Sequence, residues 1–477
     1  MNVRGMIKAY LGILAILGLL MLVVPLVDTL YDEPISISFL LLGELLLALG
    51  LVARSIESKP LTTLEALIVG VGSWISIPLI SAIALSYETG TSYIDSAFES
   101  ISGFTGTGFT VFYPSQLKHS LILWRSLMQW SGELGFVVFA MVFIPYFYDV
   151  AKRLYGIERP IKIEASFYRT ASRLLIVYVI LTSGGILAYY IAGMNIFESI
   201  NYVMTTIATG GMATYDEGYN VIFNRVPLTI IPVTILMIIG GMNFYDIYNL
   251  LTGRIKDLAK SEELRYYLFV ITSIPLMTVL AYVFVEGYPL MFSVIAGLFN
   301  SISGITTTGF SIGSLSTLSD TTKAIFVIGM YIGGMTFSTA GGIKALRLMI
   351  LFKKFKNIAS SLILPNYAVH KTSVRKSILK ETDVTNALFI SIIHAFMVFS
   401  SALLISAFGY SFIDSLFEAT SAASCVGLSV GVIEPSSPAM VKVILMILMI
   451  SGRLEYIPLL LLVSLMVSRR ALYVLKW

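Results

Sequence analysis

The sequence predicts an all-α polytopic membrane protein, and three observations carry that prediction. The chain is 57% hydrophobic and only 13% charged, far from the composition of a soluble domain. Apolar stretches of about 20 residues recur along it, enough to cross a hydrocarbon core. Four times, a hydroxyl-bearing segment runs into a glycine near the end of an apolar hairpin: SGFTGTGF (102–109), TTIATGGM (205–212), SGITTTGF (303–310) and SAASCVGL (421–428). Together these predict four pseudo-repeated units, each an outer helix, a pore helix and an inner helix, around one central pore. Two further transmembrane helices precede them.

The elements follow in order. Spans near 6–27 and 37–53 form an N-terminal pair within residues 1–60, and the first carries no small-residue cleavage pattern. The repeat units are expected at 61–165, 166–260, 261–380 and 381–477, for ten crossings in all. Basic residues fix the orientation. Expected inside loops hold Arg4, Lys8, Arg54 and Lys59; then Lys152, Arg153, Arg159, Lys162 and Arg169; then Arg254, Lys256, Lys260 and Arg265. The longest, 353–380, holds Lys353, Lys354, Lys356, Lys371, Arg375, Lys376 and Lys380, and the C-terminus adds Arg469, Arg470 and Lys476. Expected outside loops show acids instead: Asp28, Asp32, Glu33, Asp216, Glu217 and Asp320. Both termini are therefore expected in the cytoplasm, with the four glycine segments facing outward.

Aligned without gaps, the four segments place Gly108, Gly211, Gly309 and Gly427 in one column, about one hundred residues apart. Six residues before it stand Ser102, Thr205, Ser303 and Ser421; ten before, Phe98, Asn201, Phe299 and Phe417; thirteen before, Asp95, Glu198, Ala296 and Asp414. Short helices that unravel at mid-depth are tolerated only where buried or lining a wet cavity. Aimed at one axis, their C-terminal ends concentrate partial negative charge and favour a cation. Four strands converging there would offer a ring of backbone carbonyls. They are Thr105, Gly106, Thr107 and Gly108; Ala208, Thr209, Gly210 and Gly211; Thr306, Thr307, Thr308 and Gly309; Ser424, Cys425, Val426 and Gly427. Glycine meets the backbone angles this needs, while Phe109, Met212, Phe310 and Leu428 would pack behind. A single such motif would read as a small-residue helix contact; four in register argue otherwise. Asp95, Glu198 and Asp414 read more simply as helix N-terminal caps than as ion-attracting acids.

These residues, with GGMTFSTAGGIKALR (333–347) and SGRLE (451–455), resemble the TrkH/KtrB/HKT superfamily of K⁺ transport proteins over nearly the whole chain. The two extra N-terminal spans make it most similar to the TrkH branch. The resemblance implies gated K⁺ uptake across the plasma membrane, with the column glycines as filter residues. It implies a homodimer in membrane lipid, with a cytosolic nucleotide-binding regulatory subunit of TrkA/KtrA type. Potassium is then the ion handled, and no organic cofactor is expected on this chain, which has no GxGxxG loop. The resemblance also makes 333–342 an intramembrane gating loop, with Gly333, Gly334, Ser338, Thr339, Gly341 and Gly342 as its working residues and Arg453 as a barrier beneath the filter. Its alternative is a packing seam or kink. Glu133 stands at nearly the same distance past its column glycine as Arg453, which makes it a candidate charge partner; Glu455 is a rival.

Other functions find little support. Coupled K⁺/H⁺ or K⁺/Na⁺ symport usually keeps a titratable group at mid-depth, and the candidates reduce to Arg453, Glu133, Glu44 and Asp246. No HExxH, DDxxD or G-x-S-x-G element points to an enzyme. One cysteine, Cys425, and three histidines, His119, His370 and His394, argue against a metal centre, and a net charge of +4 does not suggest nucleic acid. The histidines read as loop or helix-face residues.

Overall fold

The computed structural model describes residues 1–133, 135, 167–361, 373–374, 377–378 and 381–467. Several expected features lie outside them: the boundaries at 165 and 380, and Lys152, Arg153, Arg159, Lys162, His370, Lys371, Arg375, Lys376, Lys380, Arg469, Arg470 and Lys476. Apart from a hairpin pairing Ser373–Val374 with Ser377–Ile378, the described regular structure is helical.

An N-terminal helix, Val3–Met21 continuing as Val23–Leu30, packs along Ile37–Arg54. Four outer helices follow: Thr63–Thr89, Phe167–Ile191, Glu262–Phe284 and Glu381–Ser406. The first starts at a capping box, in which Thr62 and Glu65 satisfy each other's backbone N–H. Each outer helix leads to a short one: Tyr93–Phe104, Ile196–Ile207, Leu290–Ile305 and Phe412–Ala423. Ser92, Asn195 and Ser411 cap three of these. Their polar residues Glu99, Ser102, Asn201, Asn300 and Glu418 are buried with the apolar ones. Such helices need polar partners inside the protein.

Three of the four expected inner spans are, among the described residues, interrupted helices. Among the described residues, six helices are long and apolar enough to cross a membrane. A seventh candidate pairs Ala439–Arg453 with Ile457–Ser464 across a 104° bend. The difference lies in the inner helices. The second stops at Gly240 and resumes as Phe244–Leu251; the third stops at Ile332 and resumes as Ala345–Ser361; the fourth breaks between Arg453 and Ile457. The first runs over 119–133. Freed backbone groups at two of the breaks bond each other: Met335 N–H donates to Gly241 O at 2.9 Å, and Phe244 N–H to Phe337 O at 3.1 Å. Asn243 caps the resumed second helix and donates to Thr336 O at 2.6 Å. Irregular backbone at this depth survives because protein, not lipid, covers it. Among the described residues, the main apolar cluster joins residues from all four units and the N-terminal pair, and a smaller one groups Leu346, Met349, Ile350 and Ala387.

Candidate functional site

All four short helices stop four residues before a column glycine, at Phe104, Ile207, Ile305 and Ala423. The chain then turns in the same way each time. The N–H one residue before the glycine (Thr107, Gly210, Thr308, Val426) donates to the carbonyl of Ser102, Thr205, Ser303 or Ser421 at 2.8–2.9 Å. At that column the shared feature is thus a backbone bond. The hydroxyls diverge: Ser102 donates to Phe109 O at 2.7 Å, and Thr205 turns back to Tyr202 O at 3.2 Å.

Backbone handedness alternates along every strand. Thr105, Ala208, Thr306 and Ser424 are right-handed helical or close to it. The next residues have positive φ: Gly106 at 66°, Thr209 at 48°, Thr307 at 57° and Cys425 at 53°. The column glycines are positive again, at 92°, 69°, 89° and 83°. Alternating hand directs successive carbonyls toward one side of a strand. Three non-glycine residues hold the left-handed conformation, at about 1–2 kcal/mol each, so the surroundings must enforce it.

The column glycines close a ring. A methyl carbon placed on Gly108 would lie 1.8 Å from the carbonyl oxygen of Gly210. One on Gly211 would lie 2.0 Å from Thr308 O, one on Gly309 2.1 Å from Val426 O, and one on Gly427 2.1 Å from Thr107 O. Each glycine abuts the residue just before the next unit's glycine, and the fourth returns to the first. No side chain fits at any of the four positions. The strands therefore share one axis, in chain order.

Packing behind the ring comes partly from residues named above and partly from others. Phe109, Met212, Phe310 and Leu428 are all buried. Nine residues before each glycine lies a polar prop. Glu99 accepts from Thr110 Oγ1 and Val111 N–H, and Glu418 from Ser429, Val430 and Val432. Asn300 exchanges two bonds with Ile312, and Tyr202 donates to Gly218 O. Glu99 also pairs with buried Arg125 at 2.7 Å. Its constant register with the glycine marks this column in the sequence, but three different residue types, Glu, Tyr and Asn, disguise it. Asp95, Glu198 and Asp414 do sit in first turns beneath their caps, and each also meets a cation: Lys442 at 2.5 Å, Arg225 at 2.5 Å and Lys323 at 2.7 Å. The Asp95 and Asp414 pairs tie one unit's inner helix to the next unit's pore helix.

Residues 333–344, between the two halves of the third inner helix, lie against the strands. Thr339 Oγ1 is 3.0 Å from Ile207 O, 2.9 Å from Gly240 O and 3.3 Å from Thr209 Oγ1. Gly341 N–H donates to Thr307 Oγ1 at 2.8 Å, and a methyl on Gly341 would meet Ser424 O at 1.9 Å. Gly333 folds against Gly341 and Gly342, Ala340 lies close to Gly334, and Ser338 bonds Met335 O. Arg453 donates to Thr339 O at 3.2 Å and pairs with Glu133, both side chains buried. Glu455 pairs with Arg347 instead. Glu133 reaches under the first strand, where a methyl on Gly106 would come within 2.5 Å of its carboxylate. The left-handed residues Thr209 and Thr307 thus turn their side chains onto the loop, which accounts for their strain. Of the other mid-span acids, Asp246 is buried and bonded by Ser261, while Glu44 is exposed.

Comparison with known proteins agrees with this architecture. A family described as TrkH, cation transport protein, matches residues 45–472. An uncharacterized cation transporter of Methanocaldococcus jannaschii is 30% identical over 467 residues, 97% of this chain and 95% of that protein. The Trk system potassium uptake protein TrkH of Escherichia coli is 28% identical over 85% of this chain and 86% of its own. The crystal structure of the potassium transporter TrkH from Vibrio parahaemolyticus superposes with a TM-score of 0.87 at 23% identity, covering 98% of this chain and all of that one, which shows a common fold. This chain belongs to the TrkH family of cation transport proteins.

Proposed function

We propose that this chain is a gated K⁺ uptake pathway whose selectivity filter is the four-strand ring. The carrying observation is cyclic closure: four carbonyls, of Thr107, Gly210, Thr308 and Val426, each against the preceding unit's glycine around one axis. Converging carbonyls replace the hydration shell of a dehydrated cation. The E. coli relative is named for potassium uptake, which supports K⁺ as the ion. The 333–344 loop is the gate, held shut by Thr339, Gly341 and Arg453. A cytosolic nucleotide-binding subunit of TrkA/KtrA type opens it, and the chain works as a homodimer in the plasma membrane with both termini inside. Support for these last points is the family resemblance and the basic residues flanking the spans.

The test is ion flux from purified protein in liposomes. Under a K⁺ gradient the account expects flux that drives the membrane toward the K⁺ equilibrium potential, with a much smaller Na⁺ flux and no dependence on a pH gradient. A reversal potential that follows pH would replace this reading with coupled symport.

The gate carries its own prediction. Thr339→Val keeps the shape and removes the hydroxyl that bonds two carbonyls and Thr209. Losing about 1 kcal/mol of net hydrogen bonding is expected to raise basal K⁺ flux roughly fivefold. Flux at or below wild type would remove Thr339 from the latch.

A further inference from the structure

The four filter strands are not held in the same way. In the first and third, hydroxyls two residues apart bond each other: Thr105 to Thr107 and Thr306 to Thr308, each at 2.8 Å. The second and fourth strands lack this ladder. The second has Ala208 and Gly210 at those positions; the fourth has Ser424 but Val426.

A different buried side chain serves each of the two. Gln129, on the first inner helix, donates from Nε2 to Gly210 O at 2.6 Å and accepts Met212 N–H at 3.2 Å. It is fully buried, and a methyl on Gly210 would fall 2.4 Å from its Cδ, so glycine there makes room for it. His394, on the fourth outer helix, places Nε2 3.4 Å from Ser424 Oγ and Nδ1 2.9 Å from Tyr456 Oη. Its ring stands edge-on to Tyr331 and Tyr456. Tyr456 lies in the break of the fourth inner helix with φ of 64°, so the imidazole is fixed between that break and the strand. Both ring nitrogens are engaged, and the Ser424 hydroxyl takes from histidine what its neighbours take from a second hydroxyl.

We propose that Gln129 and His394 are specificity-determining positioning residues: each replaces a missing hydroxyl ladder and holds its strand at the carbonyl spacing that favours K⁺ over Na⁺. The proposal rests on reading the ring as the filter. Gln129 acts directly on a ring carbonyl, that of Gly210. Its amide N–H competes with a bound ion for that oxygen, so it adjusts field strength as well as position. His394 acts one residue earlier than Val426, through the Ser424 hydroxyl.

The experiment measures the K⁺/Na⁺ flux ratio of the full chain in liposomes. His394→Leu and Ser424→Ala are each expected to lower it about fivefold, the worth of one buried hydrogen bond. Adding Val426→Thr to His394→Leu rebuilds the ladder of the first and third strands, and recovery of most of the ratio is expected. Gln129→Glu keeps the acceptor for Met212 and removes the donor to Gly210 O; the ratio is expected to fall similarly. Gly309→Ala serves as control for the filter itself. If it lowers the ratio while His394→Leu, Ser424→Ala and Gln129→Glu leave it unchanged, the filter stands and this inference is overturned. A fall that Val426→Thr does not repair would also overturn it for His394, leaving that residue a packing role. If Gly309→Ala has no effect, the ring is not the filter and both readings fail together.

Discussion

Replacing Gly309 with alanine is expected to erase discrimination between K⁺ and Na⁺, bringing the flux ratio near one or ending transport. Two costs combine. At φ of 89° an L-residue is strained by about 1–2 kcal/mol. The new methyl would also lie 2.1 Å from the Val426 carbonyl oxygen, a contact that only backbone movement relieves. That carbonyl belongs to the ring, so the neighbouring strand must shift and the ring widen on that side. Gly108, Gly211 and Gly427 are in equivalent contacts and predict the same phenotype. Gly90, also at positive φ but with open space around it, serves as the comparison. Gly90→Ala should cost stability alone. A monodisperse Gly309→Ala protein with an unchanged flux ratio would contradict the prediction.

Arg453→Ala is the second substitution with a large expected effect. It removes the bond to Thr339 O and leaves Glu133 without its charge partner in a buried site. A charge-assisted bond contributes about 1.5–3 kcal/mol, so the loop is expected to open more than tenfold more often and basal K⁺ flux to rise accordingly. The stranded carboxylate is expected to destabilise the fold by about 3–5 kcal/mol. Thermal unfolding in detergent should show a lowered midpoint. In the double variant with Glu133→Gln the stranded charge is gone, so part of that midpoint is expected to return while flux stays high. Strictly additive effects of the two substitutions, on both readouts, would mean that the pair does not act as a unit.

How much of this was legible in the sequence depends on the kind of interaction. The all-helical membrane fold follows from composition and span length, which are one-dimensional properties. The glycine column was visible because a ring formed by one chain repeats its backbone requirement at a fixed register. What side chains do across the ring was not. Thr209, Thr307 and Cys425 have ordinary helical or extended preferences; the partners that go with their positive φ, the loop for Thr209 and Thr307 and the Met449 carbonyl for Cys425, come from other elements. The breaks at 241–243 and 454–456 carry no glycine-rich signature as long as that at 333–342. The second has Glu455 and Tyr456 in left-handed conformations that sequence does not announce. Gln129 and His394 come from elements far from their strands in sequence, and His394 looked like any isolated helix-face histidine. Nearly equal distances from two column glycines make Glu133 a candidate partner of Arg453 in the sequence, and the two are in contact.

The most direct measurement is ion density in crystals of the full chain grown in Rb⁺, with anomalous scattering to locate it. The account predicts a peak on the axis shared by the carbonyls of Thr107, Gly210, Thr308 and Val426, weakened in Gly309→Ala. An ordered ring with no axial peak, and Rb⁺ bound elsewhere in the protein, would contradict it.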